Sequence, residues 1–500
     1  MSEELELKYA IDDGARVVRW LDRAFPPLPG SGWQRLAITD RYFDTADKAL
    51  EKAGYGGRLR RLGRHTLVTL KSDIEVRGGL HRRAEFEAPA TRSLTPRRWP
   101  PSEARERLIV LVGERRLIER FVVRQRRRER EARLDGALVV LSVDDGRVEV
   151  CGTPAGELRQ LEIELRSGDE AVLRQVADAV ERDGVGWPES RSKLVMAAAL
   201  AGAAAALRAD DALAEAGRKV LRRHLLRMLE RETRVRAGDV LALKQMRVAT
   251  RRMRAAWRTF GEGFRRTEER RYVAELRRVA RTLGEVRDLD VLLEGLPADG
   301  ALARLAQTWR GRRAAAYERL MAMLSSREYG RFVDDHLALT GERGAGVAKR
   351  RVAATAGEQA RPLIEAAHRR VLDAGAAARG TDDDAAWHAL RIAAKRLRYT
   401  IEAFRELLDE RRAAELIARL VRVQDALGAM NDASVAAREV DAWLASDAAG
   451  VAETQRDAVR AYAAALLASV ARRRRSFGSV WRGASGVTFA RLVETALTER

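Results

Sequence analysis

Five hundred residues are too many for one hydrophobic core, so two or three domains are expected. A net charge of +21, dominated by arginine, calls for a polyanionic partner such as nucleic acid, polyphosphate or an anionic membrane. The single cysteine, Cys151, excludes a disulfide framework and a thiolate metal cluster, and the longest apolar stretch, Val195 to Leu207, is too short and alanine-rich to span a bilayer.

The first residues are charged and carry no apolar block, so no secretory leader is expected and a cytoplasmic protein follows. Glu4, Glu6 and Lys8 alternate with Leu5 and Leu7, as the two faces of a β-strand require. The pattern recurs at Arg58-Leu59-Arg60, at Thr66 to Lys71, at Arg83-Ala84-Glu85-Phe86-Glu87, at Arg124, Arg126 and Arg128 after Phe121-Val122-Val123, and at Glu162-Ile163-Glu164-Leu165-Arg166. Gly56-Gly57, Pro100-Pro101 and Asp144-Asp145-Gly146 read as turns between strands, and residues 14–24 and 169–182 as helices.

Burying acids and bases on one strand face is costly unless the face lines a wet cavity. Many such strands predict an antiparallel sheet closed into a barrel with its ions inward, an α+β domain over residues 1–200. Acids and bases gathered in one channel suit a highly charged anion together with divalent cations. Triphosphate with Mg2+ or Mn2+ is the natural candidate, because those ions take carboxylate and phosphate oxygens together.

Near residue 195 the composition turns to Ala, Arg, Leu and Glu, and an all-helical domain is expected over 208–500, with the seam Ala197 to Gly217 itself helical. This half repeats: Lys244, Arg247, Arg251, Arg252 and Arg254 match His388, Arg391, Lys395, Arg396 and Arg398, and Leu283-Gly284 matches Leu427-Gly428, always 144 residues apart. The duplication predicts two related helical bundles, about 215–350 and 360–500. At 100° per residue, positions 244, 247, 251 and 254 fall within an arc of about 80°, and the same holds for 388, 391, 395 and 398. Like charges at such spacings destabilise a helix; incurred twice at matched positions, that cost points to a groove for a linear polyanion. Asp288, Asp290 and Asp432 follow the Leu-Gly pairs and could orient these arginines.

These residues resemble two known families joined in one chain. The Glu4-x-Glu6-x-Lys8 opening is the signature of the CYTH domain of the triphosphate tunnel metalloenzymes, supported by Tyr42-Phe43-Asp44-Thr45, Arg58-x-Arg60, Lys71, Arg83-x-Glu85-x-Glu87, Glu162-x-Glu164 and Ser192-Lys193. The second half, through Arg247 to Arg254, Leu283 to Asp290 and His388 to Tyr399, resembles a CHAD domain, which implies an all-α module of two related four-helix bundles; it departs from that family at Lys244, where histidine is common. The resemblance implies that Glu4, Glu6, Asp144, Glu162 and Glu164 hold Mg2+ or Mn2+, and that Lys8, Arg58, Arg60, Lys71, Arg124 and Lys193 grip phosphate oxygens. Arg83, Glu85 and Glu87 are also matched tunnel positions. Arg124 is preferred to Arg126 by its place in the motif.

For the second half the resemblance implies binding of inorganic polyphosphate, which would place the enzyme on polyphosphate or its granules. The expected protein is thus a metal-dependent inorganic triphosphatase fused to a polyphosphate-binding module. Adenylyl cyclase chemistry in the same tunnel, and a scaffold without catalysis, stay open as alternatives. Specific nucleic-acid binding is not expected, since the basic stripes lack interleaved aromatics for base stacking.

Overall fold

The computed structural model describes residues 2–25, 32–72, 75–77, 80–189, 191–297, 300–348, 354–446 and 451–496. The chain forms two compact units, Met1–Ala206 and Leu207–Arg500. Among the described residues no helix is long and apolar enough to cross a membrane.

The first unit runs β1 (Ser2–Ala10), α1 (Gly14–Ala24), β2 (Gln34–Thr45), α2 (Ala49–Lys52), β3 (Tyr55–Leu62), β4 (His65–Ser72), β5 (Glu75–Arg77), β6 (Leu80–Pro89), α3 (Glu103–Val112), β7 (Leu117–Leu134), β8 (Ala137–Val150), β9 (Thr153–Ser167), α4 (Ala171–Arg182), β10 (Trp187–Pro188) and α5 (Lys193–Ala204). Its strands make one antiparallel sheet in the order β10-β1-β9-β8-β7-β2-β3-β4-β6-β5, and β1 also pairs with β6 over Ser2–Leu7 and Leu80–Glu85. The long β7–β8 hairpin turns at Asp135-Gly136, both at positive φ, which is the geometry a two-residue hairpin loop needs to follow the sheet twist.

Alternation assigns the two faces. On one, Leu5, Leu7 and Tyr9 of β1 pack with Leu141, Val143, Leu161 and Ile163 under Val17 and Leu21 of α1 and Val172, Val176 and Val180 of α4. Further round that face, Leu59, Val68, Leu70 and Phe86 pack with Leu50 of α2 and Leu108 and Val112 of α3. The opposite face carries the ions. It is apolar where Met196, Ala197 and Ala201 of α5 cover Tyr42, Val123, Val148 and Leu158. The apolar, alanine-rich α5 is therefore a packing helix, and it brings Lys193, its first residue, onto the ionic face.

Several expectations need correction. Gly56-Gly57 lies inside β3 and Asp144-Asp145-Gly146 inside β8, so neither is a turn. Gly57 sits in a strand because a Cβ there would come within 2.5 Å of the Phe43 ring. The seam is not one helix: α5 ends at Ala204 and the next helix begins at Leu213.

The second unit is helical: α6 (Leu213–Arg236), α7 (Val240–Phe260), α8 (Arg266–Glu294), α9 (Ala303–Leu324), α10 (Arg327–Gly341), α11 (Ala356–Arg379), α12 (Asp384–Ala403), α13 (Glu410–Ser446), α14 (Glu453–Ser485) and α15 (Val487–Ala496). The duplication is visible in the element boundaries. α7 and α12 start 144 residues apart, behind capping residues Asp239 and Asp383 at the same offset, and so do α8 and α13. Among the described residues each repeat contributes five α-helices rather than four, the fifth being the shorter α10 and α15. One continuous core from Leu207 to Ala496 joins the repeats.

Candidate active site and polyanion groove

The ionic face of the first unit is assembled by strand register. Glu6 stands opposite Glu164, and Lys8 opposite Glu162, across β1 and β9. Within β1 the Lys8 ammonium reaches the Glu6 carboxylate at 2.6 Å, with both residues buried. Asp40 on β2, fully buried, accepts two hydrogen bonds of 2.8 Å from the Arg60 guanidinium and has Arg58 at 3.5 Å. Burial alone would raise the Asp40 carboxyl, but Arg58 and Arg60 outweigh it and hold it well below the usual range. Glu85 on β6 pairs with Lys71 at 2.7 Å and lies 3.8 Å from Arg58, and the Thr69 hydroxyl donates to Glu87 at 2.9 Å.

Arg127 on β7 stands opposite Asp144 on β8 and donates to both of its oxygens, at 2.9 and 2.8 Å, and to Glu162 at 2.5 Å. The Lys193 ammonium completes this knot, 2.7 Å from Asp144 and 3.2 Å from Glu162. Burial would neutralise all of these groups, yet each is pushed further toward its charged form. Lys193 and Arg127 depress Asp144; Lys193, Arg127, Lys8 and Lys71 depress Glu162; the two carboxylates raise Lys193. Beside the knot, Nε of Arg58 and both amide atoms of Gln125 and Gln160 are buried without a hydrogen-bond partner in the protein.

Glu6, Lys8, Arg58, Arg60, Lys71, Glu85, Glu87, Asp144, Glu162, Glu164 and Lys193 thus share one face, as the alternation predicts. Glu4 and Arg83 are opposite each other across β1 and β6, and their side chains lie outside the described residues. Arg124 does not join the set. It is 54% exposed on the other face and pairs with Glu149 at 2.9 Å, while Arg126 on the same row is exposed too. Arg127 holds the inward position, because Val123 and Gln125, not Arg124, continue its row. Asp40, Arg127, Gln125 and Gln160 are the residues that motif reasoning missed.

The donor set fits a hard divalent cation. It offers only carboxylate oxygens, and Glu6 directly opposite Glu164 is a like-charge pair that a cation between them would turn from repulsive to binding. Among the described residues no three acidic, histidine or cysteine side chains converge in metal-holding geometry; the carboxylates are turned toward bases instead.

In the helical unit the two basic stripes face a common space. Lys395 on α12 is pushed down to about 7 by burial and by Arg391, Arg251 and Arg247, the last two on α7. Arg251 is likewise lowered by burial and by Arg247, Arg398 and Arg252, and Arg391 by burial and Arg251. Nε of Arg251, Arg254, Arg391 and Arg398 and the Tyr399 hydroxyl are buried without a hydrogen-bond partner in the protein. Arg252 is tied across to Glu402 of α12 at 2.8 Å, and Arg398 shares that carboxylate at 3.6 Å. Lys244, His388 and Arg396 are exposed, and the His388 ring meets Asn431 at 3.1 Å. Asp288 does contact the stripe, 3.4 Å from Arg247. Asp290 instead pairs with Arg313 at 2.6 Å, outside the stripe, and the described hydrogen bond of Asp432 comes from Asn431.

A CYTH domain model matches residues 3–184 and a CHAD domain model matches residues 219–441. An uncharacterised protein of Mycobacterium tuberculosis is 36% identical over 188 residues, 34% of this chain and 35% of that protein, so the chain spans about a third of the length of the curated relatives it matches. Among solved structures, the CHAD domain from the plant Ricinus communis is 27% identical with a TM-score of 0.48, covering 56% of this chain and 94% of that one. A putative adenylyl cyclase from Hippeastrum, described as having a dominant triphosphatase activity, is 16% identical with a TM-score of 0.31, covering 39% of this chain and 95% of that one. One chain thus carries a CYTH domain over residues 3–184 and a CHAD domain over residues 219–441.

Proposed function

We propose that the CYTH unit hydrolyses inorganic triphosphate with Mg2+ or Mn2+ inside a tunnel, and that the CHAD unit binds inorganic polyphosphate and keeps the enzyme on it. Closure of the sheet into the tunnel is supported by the second pairing of β1, with β6 as well as β9. The observation that carries the hydrolase reading is the buried knot of Arg127, Lys193, Asp144 and Glu162 among further ions of both signs. A fold that needed only stability would replace such ions with apolar packing.

Glu6 and Glu164, with Glu4, Glu162 and Asp144 nearby in sequence register, would hold the cation, which supplies Lewis-acid polarisation of phosphoryl oxygens and a more acidic water. Lys8, Arg58, Arg60, Lys71, Arg127 and Lys193 bind the phosphate oxygens. Arg127 and Lys193 exchange carboxylate for phosphate as substrate enters, leaving Asp144 and Glu162 anionic for the cation. The partnerless amides of Gln125 and Gln160 orient the chain ends by hydrogen bonds. The apolar plug of α5 dries one end of the face, which strengthens every charge interaction there. The groove between α7 and α12 holds polyphosphate through Arg247, Arg251, Arg254, Arg391, Lys395 and Arg398; the partly buried Arg251, Arg254 and Arg391, whose Nε atoms have no hydrogen-bond partner in the protein, offer forks for phosphate oxygens.

The test is a panel of triphosphate, ATP and long-chain polyphosphate with Mg2+ and with Mn2+. Orthophosphate release fastest from triphosphate is expected, and cyclic AMP formed from ATP would overturn the hydrolase reading. For the groove, long-chain polyphosphate should displace DNA at matched salt; the reverse ranking would remove the polyphosphate assignment.

A further inference from the structure

The arginines of β7 that do not enter the ionic face build a surface of their own. Register lines them up in cross-strand rows on the outer face of β3, β2, β7 and β8. One row runs Arg61, Thr39, Arg124, Arg147, and the next places Arg126 between Ala37 and Asp145. A third sets Arg35 directly opposite Arg128. Arg124 against Arg147 and Arg35 against Arg128 are like charges in contact positions, an arrangement that costs sheet stability. The acids beside these rows are already committed: Glu149 to Arg124, Asp145 to Arg128 and Arg159, Glu119 to Arg41, and Glu157, which stands opposite Arg147 on β9, to Arg159. Among the described residues no ion pair is formed by Arg35, Arg61, Arg126 or Arg147, and Arg61, Arg126 and Arg147 are exposed. A shallow cavity of about 290 Å³ opens on this face, walled by Arg41, Arg61, Arg92, Arg124 and Glu119 around Thr39.

We propose that this outer arginine face is a second docking surface for inorganic polyphosphate, separate from the tunnel and from the helical groove. Guanidiniums sit about 7 Å apart along a strand and about 5 Å apart between strands, so a flexible polyanion lying across the rows meets several forks at once. Each fork grips two phosphate oxygens. The rows carry no aromatic side chain on which a base could stack, which disfavours single-stranded nucleic acid. The apolar side chains there that are not buried are Ala37 and Val122, too small a set to enter a lipid surface. The choice of polyphosphate as occupant rests on the condensed-phosphate reading of the tunnel.

The experiment uses the full chain with the helical groove neutralised by Arg251→Gln and Arg391→Gln, and titrates labelled long-chain polyphosphate over a salt series. This background should still bind at low salt. Adding Arg61→Gln and Arg126→Gln should weaken binding about tenfold or more and flatten the salt slope by about one to two units, while hydrolysis of triphosphate is unchanged. Arg61→Lys with Arg126→Lys should keep the slope, since the charge contact survives. A background that no longer binds, an affinity and slope indifferent to the added changes, or single-stranded DNA bound more tightly than polyphosphate at the same salt would each overturn the proposal. If the unsubstituted protein fails to hydrolyse triphosphate while the arginine changes still abolish polyphosphate binding, the tunnel reading falls and the surface stands.

Discussion

Replacing Arg127 by methionine separates what the buried knot does for folding from what it does for chemistry. The guanidinium is 14% exposed and holds Asp144, 1% exposed, and Glu162, 13% exposed. Removing one partner of a buried ion pair costs about 3–5 kcal/mol, because the remaining charge is left without compensation. Here Lys193 still contacts both carboxylates, so a little over half that cost is expected, ~2–3 kcal/mol. For a unit of this size each kcal/mol moves the midpoint by about 2–4 °C, which puts the Arg127→Met unit ~4–12 °C lower in scanning calorimetry of the full chain. Adding Asp144→Asn removes the stranded charge and should recover most of that loss. Triphosphate hydrolysis should not recover: losing a preorganised donor to the phosphoryl oxygens costs about 100- to 1,000-fold. The comparison is Arg124→Met, whose pair with Glu149 is at the surface and worth at most about 1 kcal/mol. If Arg127→Met melts with the parent protein or turns over at its rate, or if Arg124→Met is the more damaging of the two, the assignment of the inward row is wrong.

Glu164→Gln should lower hydrolysis by more than about 100-fold without lowering the melting temperature, because Glu6 loses a like-charged neighbour; a destabilised but active variant would contradict the cation site. EDTA should abolish hydrolysis and leave polyphosphate binding by the helical unit intact, since that groove rests on arginine and lysine alone, and equal loss of both would contradict the division of labour. Asp40, Asp144 and Glu162 are held below the ordinary range, so the stability they give is present above their unfolded pKa of about 4 and is lost as pH falls below it. Lys193 is raised, so its contribution is present below about 10.4 and is lost as pH rises beyond that. The melting temperature of the CYTH unit should therefore be level from about pH 5 to about pH 10, and a fall between pH 5 and 7 would count against the knot. Lys395, at about 7 in the empty groove, is pushed upward by a bound polyanion. Binding must then take up a proton and weaken as pH rises above neutrality; calorimetry in two buffers of different ionisation enthalpy should show uptake in the parent and none in Lys395→Gln.

The parts of this fold that a reader of the sequence can reach are those where charge and register say the same thing. On β1 and β9 the inward ions recur at every second residue, Glu6-Lys8 and Glu162-Glu164, and apolar partners fill the alternate positions. The helical duplication is equally legible, because a shared offset carries caps, stripes and helix starts together. β7 misleads because charge and burial point opposite ways. α5 covers one end of the inward face, so the inward row reads Phe121, Val123, Gln125, Arg127, apolar before it becomes ionic. The outward row, Arg124, Arg126, Arg128, is uniformly ionic and imitates a tunnel wall. The bulge between β2 and β7 near Tyr42 also breaks any count of residues carried across from β2. The hairpin turn resolves the ambiguity. Asp135-Gly136 fixes Leu134 opposite Ala137, and counting back from that pair sets Arg127 opposite Asp144, an acid that the family resemblance had placed among the metal-holding carboxylates. In a sheet charged on both faces the pattern of charge cannot choose the parity of a strand, and the turn that fixes its register can.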